Sequence, residues 1–244
     1  NKKNILAMVI ENARFLKEEK SRESAKSAEL LIHLSKILDL EVVPERIECF
    51  DISHLAGQDT VAAMVVFNQA NPEKSAYRRF KIKVEQNNDY ESLKEVLQRR
   101  FTESQQGNPA FLPEPDLLLI DGGLGQVNTV KKVLDEMAVN IPVFGLAEKN
   151  EEIYQPGINQ PLVLPSRDEG RKLLQRIRDE AHRFALEYNR QQRSQRLKKS
   201  LLDNIEGIGP KRKKILLNHF GSVAKIKKAT RDELAKVPGI NKAI

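Results

Sequence analysis

The sequence predicts an α/β protein, in which a mixed sheet flanked by helices is followed by a small all-α module. Two observations predict the sheet: β-prone runs joined by turn-rich links, and a later strand–helix–strand pattern. A third, a short repeat of glycine-containing turns near the end of the chain, predicts the module. We expect one large domain over residues 1–189 with a core over about 45–189, a basic linker over 190–200, and the module over 201–244.

The composition suits a soluble globular protein, since 40% of the 244 residues are hydrophobic and 31% are charged. No apolar run approaches the ~20 residues that a membrane-spanning helix needs. The single cysteine, Cys49, allows neither an internal disulfide nor a cysteine zinc site. Because free thiols persist in a reducing compartment, we expect a cytoplasmic protein.

Positive charge is concentrated at the end of the chain. The formal net charge is +7, and residues 201–244 hold ten Lys or Arg against four Asp or Glu. The basic stretch RQQRSQRLKK (190–199) directly precedes them. Such a module is typical of proteins that bind a polyanion such as DNA, although a solvated surface has the same charge pattern.

Two N-terminal helices are predicted over residues 4–20 and 23–39, where apolar residues recur at helical spacing. Pro44 separates them from three β-prone runs, RIECFDIS, TVAAMVVFNQ and AYRRFKIKV. Because turn-rich links join these runs, they predict an antiparallel meander. The next stretch, NDYESLKEVLQRRF (88–101), predicts a helix that begins at a capping residue.

The segment DLLLIDGG begins a second part of the sheet. A helix is predicted over 124–137 and a strand over 141–149, so this part is a strand–helix–strand unit with parallel strands. A turn-rich insertion containing EEIYQPG and PLVLP follows, and then a long helix that begins at EGRKLL. These elements complete the mixed sheet flanked by helices.

Two strands of the predicted sheet end on a carboxylate. Asp51 follows the β-prone run IECF, and Asp121 follows the apolar run LLLI. If these strands are neighbours, the carboxylates meet, and a bound Mg²⁺ or Mn²⁺ removes the repulsion between them. We therefore expect Asp51 and Asp121 to hold a divalent cation that activates water for attack on a phosphodiester.

His182 is a further candidate for this site. It lies in IRDEAHRFA, inside a helix whose apolar positions are predicted to pack on the sheet. An imidazole there suits metal ligation or acid–base catalysis near neutral pH, while a surface or packing histidine fits the same pattern. His54, three residues after Asp51, is a second candidate ligand.

A glycine-rich nucleotide loop is an alternative interpretation of GGLGQV, which follows a predicted strand and opens a predicted helix. Glu148 ends the next strand, close to where the dinucleotide-binding pattern places an acid. However, Asn128 stands in place of the third glycine, and Asp121 would put a negative charge beside the pyrophosphate. The metal site is therefore the favoured interpretation.

The basic end of the chain contains an internal repeat. IEGIGPKRKK and VPGINKAI share an apolar residue, a glycine, another apolar residue, and then glycine or asparagine. We interpret the repeat as two helix–hairpin–helix units, whose backbone N–H groups bind DNA phosphates without reading bases. The same glycines would also serve as helix caps. The predicted DNA-binding residues are Gly207, Gly209, Lys211, Arg212, Gly239 and Asn241.

The motifs FDISH, NDYESL, LIDGG, DEAHRFA and IEGIGPKRKK, in this order, resemble the C-terminal half of the UvrC family of bacterial nucleotide excision repair endonucleases. The resemblance covers essentially the whole chain. It implies a ribonuclease H-like (RNase H-like) endonuclease domain, a tandem helix–hairpin–helix domain, and incision on the 5′ side of a DNA lesion. It also implies that Asp51, Asp121 and His182 form the metal site. Asp89, by sequence alone a helix-capping residue, matches a further functional acid of the family.

The resemblance further implies double-stranded damaged DNA as substrate and UvrB as a partner of the full-length protein, with no membrane association; we expect a monomer. The sequence lacks the family's N-terminal nuclease domain and UvrB-contact segment, begins without Met, and stops within the second hairpin at Ile244. We therefore expect a fragment. The alternative to an enzyme is a DNA-backbone-binding module whose sheet domain is a scaffold.

Overall fold

The computed structural model describes residues 2–55, 59–82, 88–203, 208–221 and 223–239. The chain divides into two compact units, Asn1–Leu186 and Glu187–Ile244. The first unit contains a sheet and helices, and the described residues of the second are helices and turns. The predicted fold class, a mixed α/β sheet followed by an all-α module, is confirmed.

The described strands of the larger unit form one mixed sheet. In chain order they are β1 (Arg46–Leu55), β2 (Asp59–Asn68), β3 (Asn71–Pro72), β4 (Arg78–Lys81), β5 (Leu117–Asp121), β6 (Val143–Ala147) and β7 (Glu152–Tyr154). Their spatial order is β3-β2-β1-β5-β6-β7, and β4 pairs with β2. β1, β2 and β4 form the predicted antiparallel meander, while β5 is parallel to both β1 and β6.

The helices are α1 (Lys2–Ile37), α2 (Asp89–Gln105), α3 (Leu124–Glu136), α4 (Glu169–Asp203), α5 (Pro210–Phe220), α6 (Val223–Lys228) and α7 (Arg231–Ala235). The prediction of two separate N-terminal helices is wrong, because α1 runs through both segments without a break. The joining sequence KSRES contains neither Gly nor Pro, so it can continue a helix. The predicted linker over 190–200 lies within α4.

The C-terminal part of α1 is anchored to the larger unit. Leu31 and Leu34 are buried there, whereas apolar residues earlier in the helix, such as Val9 and Phe15, are exposed. Despite this exposed apolar surface, neither α1 nor any other described helix is long and apolar enough to cross a membrane.

Helices cover both faces of the sheet. The central strand β5 is buried on both sides, which explains its uninterrupted apolar run. α2 lies on one face, where Arg100 forms a buried ion pair with Glu48 of β1 through bonds of 2.8 and 3.0 Å. α4 lies on the opposite face, since its His182 approaches Asp51, and positions 48 and 51 of a strand point to opposite sides.

The smaller unit is built around a compact apolar cluster. α5, α6 and α7 contribute or flank its buried residues Leu216, Ile226 and Val237. α5 begins directly after the first hairpin, with Gly209 as N-cap and Pro210 in its first turn, so this glycine caps a helix as the alternative interpretation expects. Gly239, in the turn after α7, has a φ of +88°, a left-handed conformation that favours glycine.

Candidate active site

Two aspartates are brought together by the parallel pairing of β1 and β5. The register pairs Phe50 with Ile120, so Asp51 and Asp121 are the next residues on neighbouring strands. The sequence interpretation required these strands to be neighbours, and that condition is met. The prediction that β1 ends at Asp51 is wrong, because β1 continues to Leu55 against β2 and only its pairing with β5 stops there.

His182 on α4 completes a group of three. Its Nδ1 lies 3.8 Å from Oδ2 of Asp51 and 3.9 Å from Oδ2 of Asp121. One donor atom from each side chain lies within 4.8 Å of the other two. The aspartate side chains are 7% and 17% exposed, whereas His182 is 54% exposed. The site therefore has a shielded acidic floor and an open side at the histidine.

The environment of Asp121 disfavours its ionised form. Burial raises the pKa of Asp121 to about 7, and the negative charge of Asp51 adds to this shift. Arg178 and His182 lower the pKa of Asp121, while Glu148, just after β6, raises it. A cation between the two aspartates would favour ionisation of both, so this pair is arranged in a way that a divalent ion stabilises.

Cys49 precedes Asp51 by two residues, so both lie on the same face of β1. Cys49 is fully buried, and burial together with the charges of Asp121 and Asp51 raises the pKa of its thiol well above the ordinary value. A neutral, buried thiol is a packing residue without nucleophilic character. His54, the other histidine considered for this site, has its side chain outside the described part of the structure.

Asp89 lies in the first turn of α2 and is not a member of the three-residue group found among the described residues. Its assignment as a capping residue is wrong, because Asn88 is the N-cap and its side chain accepts a hydrogen bond from the Tyr90 amide at 3.0 Å. Tyr90 lies against Gly125, where an added Cβ would come within 2.6 Å of the tyrosine hydroxyl. The start of α2 is therefore beside the start of α3, just after Asp121.

In the GGLGQ loop between β5 and α3, the side chain of Gln126 folds back onto the loop backbone. The Gly123 amide donates a hydrogen bond to Oε1 of Gln126 at 3.0 Å. Gly122 packs so closely on this glutamine that an added Cβ would lie 2.8 Å from the side chain. A backbone amide that a phosphate would need is thus already engaged, which weakens the nucleotide-loop alternative.

Comparison with protein families settles the relationship of the chain. The model of the UvrC RNase H endonuclease domain matches residues 35–186, which is more than half of the chain and includes Asp51, Asp121 and His182. The chain belongs to the UvrC family. A model of the SAM-like tandem helix-hairpin-helix matches residues 199–244. The resemblance inferred from the motifs is confirmed.

Curated relatives carry the name UvrABC system protein C. The protein from Syntrophomonas wolfei is 63% identical over 241 residues, which are 99% of this chain and 40% of that protein. The protein from Moorella thermoacetica is 45% identical over 249 residues, covering 100% of this chain and 41% of that protein. The chain therefore spans about 40% of the length of these relatives. A crystal structure of human ENDOV matches with a TM-score of 0.36 and 15% identity over 53% of this chain and 59% of that chain.

Four of the six predicted DNA-binding residues lie in the described part of the chain. Gly207 and Asn241 lie outside the described residues. Gly209 has open space where a Cβ would be, and Lys211 is exposed. Arg212 donates a hydrogen bond from Nε to the carbonyl oxygen of Gly239 at 3.2 Å, so it connects the start of α5 to the second hairpin turn.

Sequence reasoning missed an ion pair beside the group of Asp51, Asp121 and His182. Arg178, one helical turn before His182, donates two hydrogen bonds to Glu151 at 2.7 and 3.0 Å. The spacing of Arg178 and His182 was a usable signal, because residues four apart share one face of a helix. Glu151 gave no local signal, since its contact is made across 27 residues.

Arg79 on β4 was also missed. The strand register aligns Asp51 with Ala63 and Ala63 with Arg79, so Arg79 shares a transverse row and a sheet face with the aspartate. Its guanidinium lies 4.0 Å from the ring centroid of Phe184, two residues after His182. The arginine therefore places a cation on the face of the sheet that carries the site.

Proposed function

We propose that the chain contains the endonuclease domain that makes the 5′ incision beside a DNA lesion in bacterial nucleotide excision repair, and that cleavage depends on Mg²⁺ or Mn²⁺. The group of Asp51, Asp121 and His182 carries the proposal. Membership of the UvrC family supports it. Because the chain spans about 40% of its curated relatives, the substrate of the whole protein, damaged double-stranded DNA, and its partner, UvrB, are part of the proposal.

The three side chains fit a hard divalent cation. Carboxylate oxygens are the ligands that Mg²⁺ and Mn²⁺ prefer, and an imidazole suits Mn²⁺ better than Mg²⁺. Ligand bonds of about 2.1 Å place two ligand atoms up to ~4.2 Å apart, so small side-chain adjustments would close the group on one ion. A shielded acid with a raised pKa beside a second acid is also typical of a functional site.

We propose different tasks for these side chains. A bound divalent cation would lower the pKa of an attacking water and offset charge developing on the phosphodiester. Asp51 and Asp121 are held by the sheet, so they provide a fixed, shielded pair of negative ligands. His182 stands at the open side, where it completes the site as a ligand or as a proton-transfer group.

We further propose that the helix–hairpin–helix unit holds the DNA backbone through its predicted residues, and that Asp89 assists the metal site from the start of α2. In this proposal the endonuclease domain covers residues 1–189 and the helix–hairpin–helix domain covers residues 201–244, as expected from the sequence. The protein would act as a cytoplasmic monomer.

The first test is a Mn²⁺ soak of crystals of the chain, with measurement of the anomalous signal. A peak that contacts both Asp51 and Asp121, with His182 within reach, is the expected result. If saturating Mn²⁺ gives no peak between the aspartates, the metal mechanism is wrong and a DNA-binding scaffold becomes the better interpretation. The Asp121→Asn variant is the control, because it removes a charged ligand with little change in shape.

A further inference from the structure

Arg178 of α4 and Glu151 form a closely matched ion pair beside the metal site. The two terminal nitrogens of Arg178 donate to the two carboxylate oxygens of Glu151 at 2.7 and 3.0 Å, so the contact is bidentate. The side chains are only 8% and 19% exposed. Arg178 also donates to Oδ1 of Asp179 at 2.8 and 3.1 Å, which further fixes the guanidinium. Such a pair restricts motion more than an exposed ion pair on a helix surface does.

The pair ties α4 to the edge of the sheet that carries the site. Glu151 lies in the turn between β6 and β7, and β6 is the parallel neighbour of β5, which carries Asp121. The φ of Glu151 is +54°, a left-handed conformation that is unfavourable for a non-glycine residue. Glu151 therefore keeps an unfavourable backbone conformation while its side chain contacts Arg178.

His182 depends on its helix for its position. Its contacts to Asp51 and Asp121, at 3.8 and 3.9 Å, are longer than hydrogen bonds and do not hold the imidazole. Arg178 precedes His182 by four residues, so the ion pair and the imidazole lie one turn apart on the same face of α4. A shift or rotation of this turn would move His182 away from the aspartates.

We infer that the Arg178–Glu151 pair is a positioning device, which fixes α4 against the turn after β6 so that Nδ1 of His182 stays over Asp51 and Asp121. This inference rests on the proposed metal site. It makes Arg178 and Glu151 residues that act through His182, with no contact to the reacting atoms.

The charge of Arg178 provides a way to separate positioning from simple electrostatics. Its guanidinium is near enough to the acidic pair to lower the pKa of Asp121. A positive charge there opposes the binding of a divalent cation, so its removal would tighten binding if charge alone mattered. If the pair positions His182, the same change weakens binding. The two explanations therefore predict opposite results.

The test is Mn²⁺ binding to the Arg178→Gln variant of the full 244-residue chain, measured by calorimetry without DNA. We expect the dissociation constant to rise roughly ten- to a hundred-fold, as for other residues that orient a metal ligand. Cleavage by the same variant should show a lower kcat with little change in the KM for DNA. Unchanged or tighter Mn²⁺ binding overturns the inference.

A double-mutant cycle with Glu151→Gln provides the second measurement. Because both residues act as one unit, the double variant should bind Mn²⁺ no more weakly than Arg178→Gln alone, and additive effects contradict a shared role. Arg178→Lys, which keeps the charge but loses the bidentate contact, should restore binding in part. Val96→Ala on α2 is the stability control, since it removes core packing on the opposite face and should leave Mn²⁺ affinity unchanged.

The outcomes for the two proposals are distinct. A wild-type chain that binds no Mn²⁺ contradicts the proposed function. A wild-type chain that binds Mn²⁺ through Asp121, with the same affinity as the Arg178→Gln variant, contradicts the positioning role only.

Discussion

Gly145 of β6 lies in direct contact with the backbone of Gly122, the residue that follows Asp121. A Cβ added to Gly145 would lie 2.6 Å from the carbonyl oxygen of Gly122, and it would also collide with the side chain of Val127 on α3. Neither neighbour can yield easily, because one is backbone and the other is a buried, β-branched side chain. The turn that leaves Asp121 is therefore positioned by close packing on the neighbouring strand.

Gly145→Ala should destabilise the larger unit, because its methyl group has no space. We expect a loss of about 1–3 kcal/mol in the free energy of unfolding, the usual cost of overpacking, measured by urea denaturation. Gly123→Ala is the matched control, since an added Cβ there meets nothing within 4 Å, and its effect should stay within about 0.5 kcal/mol. Equal stability of the two variants would show that the loop adapts freely.

Asp121→Asn should make the protein more stable in the absence of added metal. The amide has nearly the same shape but removes a shielded charge that is repelled by Asp51. A pKa raised from 3.8 to about 7 lowers the free energy of unfolding of the wild type by at most ~4 kcal/mol at pH 8, and the variant avoids this loss. Thermal melts with and without Mn²⁺ measure both consequences: a higher Tm for the variant alone, and a rise in Tm on adding Mn²⁺ only for the wild type.

The stability advantage of Asp121→Asn should depend on pH. The folded pKa of Asp121 is raised from 3.8 to about 7, so between these values the folded state binds the proton that the unfolded state has released. Wild-type stability therefore falls as pH rises from about 4 to about 7, and the contribution levels off above that. Asp135→Asn, at an exposed position on α3, should give no such difference. If Asp121→Asn exceeds the wild type in stability by the same amount at every pH from about 4 to about 7, the raised pKa of Asp121 is contradicted.

His182→Ala should separate activity from stability. The side chain is 54% exposed, so the free energy of unfolding should change by less than about 0.5 kcal/mol. Loss of a ligand or proton-transfer group should lower the cleavage rate roughly 10²–10⁴-fold, measured in a nicking assay at saturating Mn²⁺. His33→Ala should behave in the opposite way, since His33 bonds Asp168 at 2.9 Å, away from the site, and its loss should reduce stability without reducing cleavage.

The sheet and the acidic pair were predictable because their signals are local. Apolar runs between turn residues define β1, β2 and β5, and a carboxylate directly after an apolar run identifies Asp121. Asp51 lies inside β1, so the strand end could not be located from sequence; β1 continues because β2 pairs with it beyond that point. The role of His182 came from the family resemblance, since a helix histidine by itself fits several uses.

The long-range contacts around the site were not predictable. Glu151 and Arg178 are joined across a turn and a helix, and Arg79 reaches the site face through strand register. No short sequence pattern encodes such a pair, because the partners meet only after the sheet has formed. The N-terminal segment differs for another reason: the sequence predicts two helices, whereas α1 is continuous because no helix-breaking residue stands between them.

The two described hairpin glycines should respond differently to alanine, which tests phosphate binding against simple capping. Gly209 has a φ of −74° and open space around its Cβ position, so Gly209→Ala should remain folded, with only the small loss of stability expected for alanine at an N-cap. If the amides at the start of α5 bind a DNA phosphate, the new methyl group hinders its approach and affinity should fall about tenfold, the scale of one hydrogen bond to a charged group. Gly239 has a φ of +88°, so Gly239→Ala should instead destabilise the smaller unit by roughly 1–2 kcal/mol.

Fluorescence anisotropy with duplex DNA at several salt concentrations measures these affinities. Lys211→Ala is the reference for a pure charge contact, because the loss of one phosphate contact should reduce the slope of log affinity against log salt concentration by about one. Gly209→Ala should weaken binding while the protein remains fully folded. If this variant binds DNA as tightly as the wild type, the first hairpin acts as a helix cap, and the basic side chains alone account for the affinity.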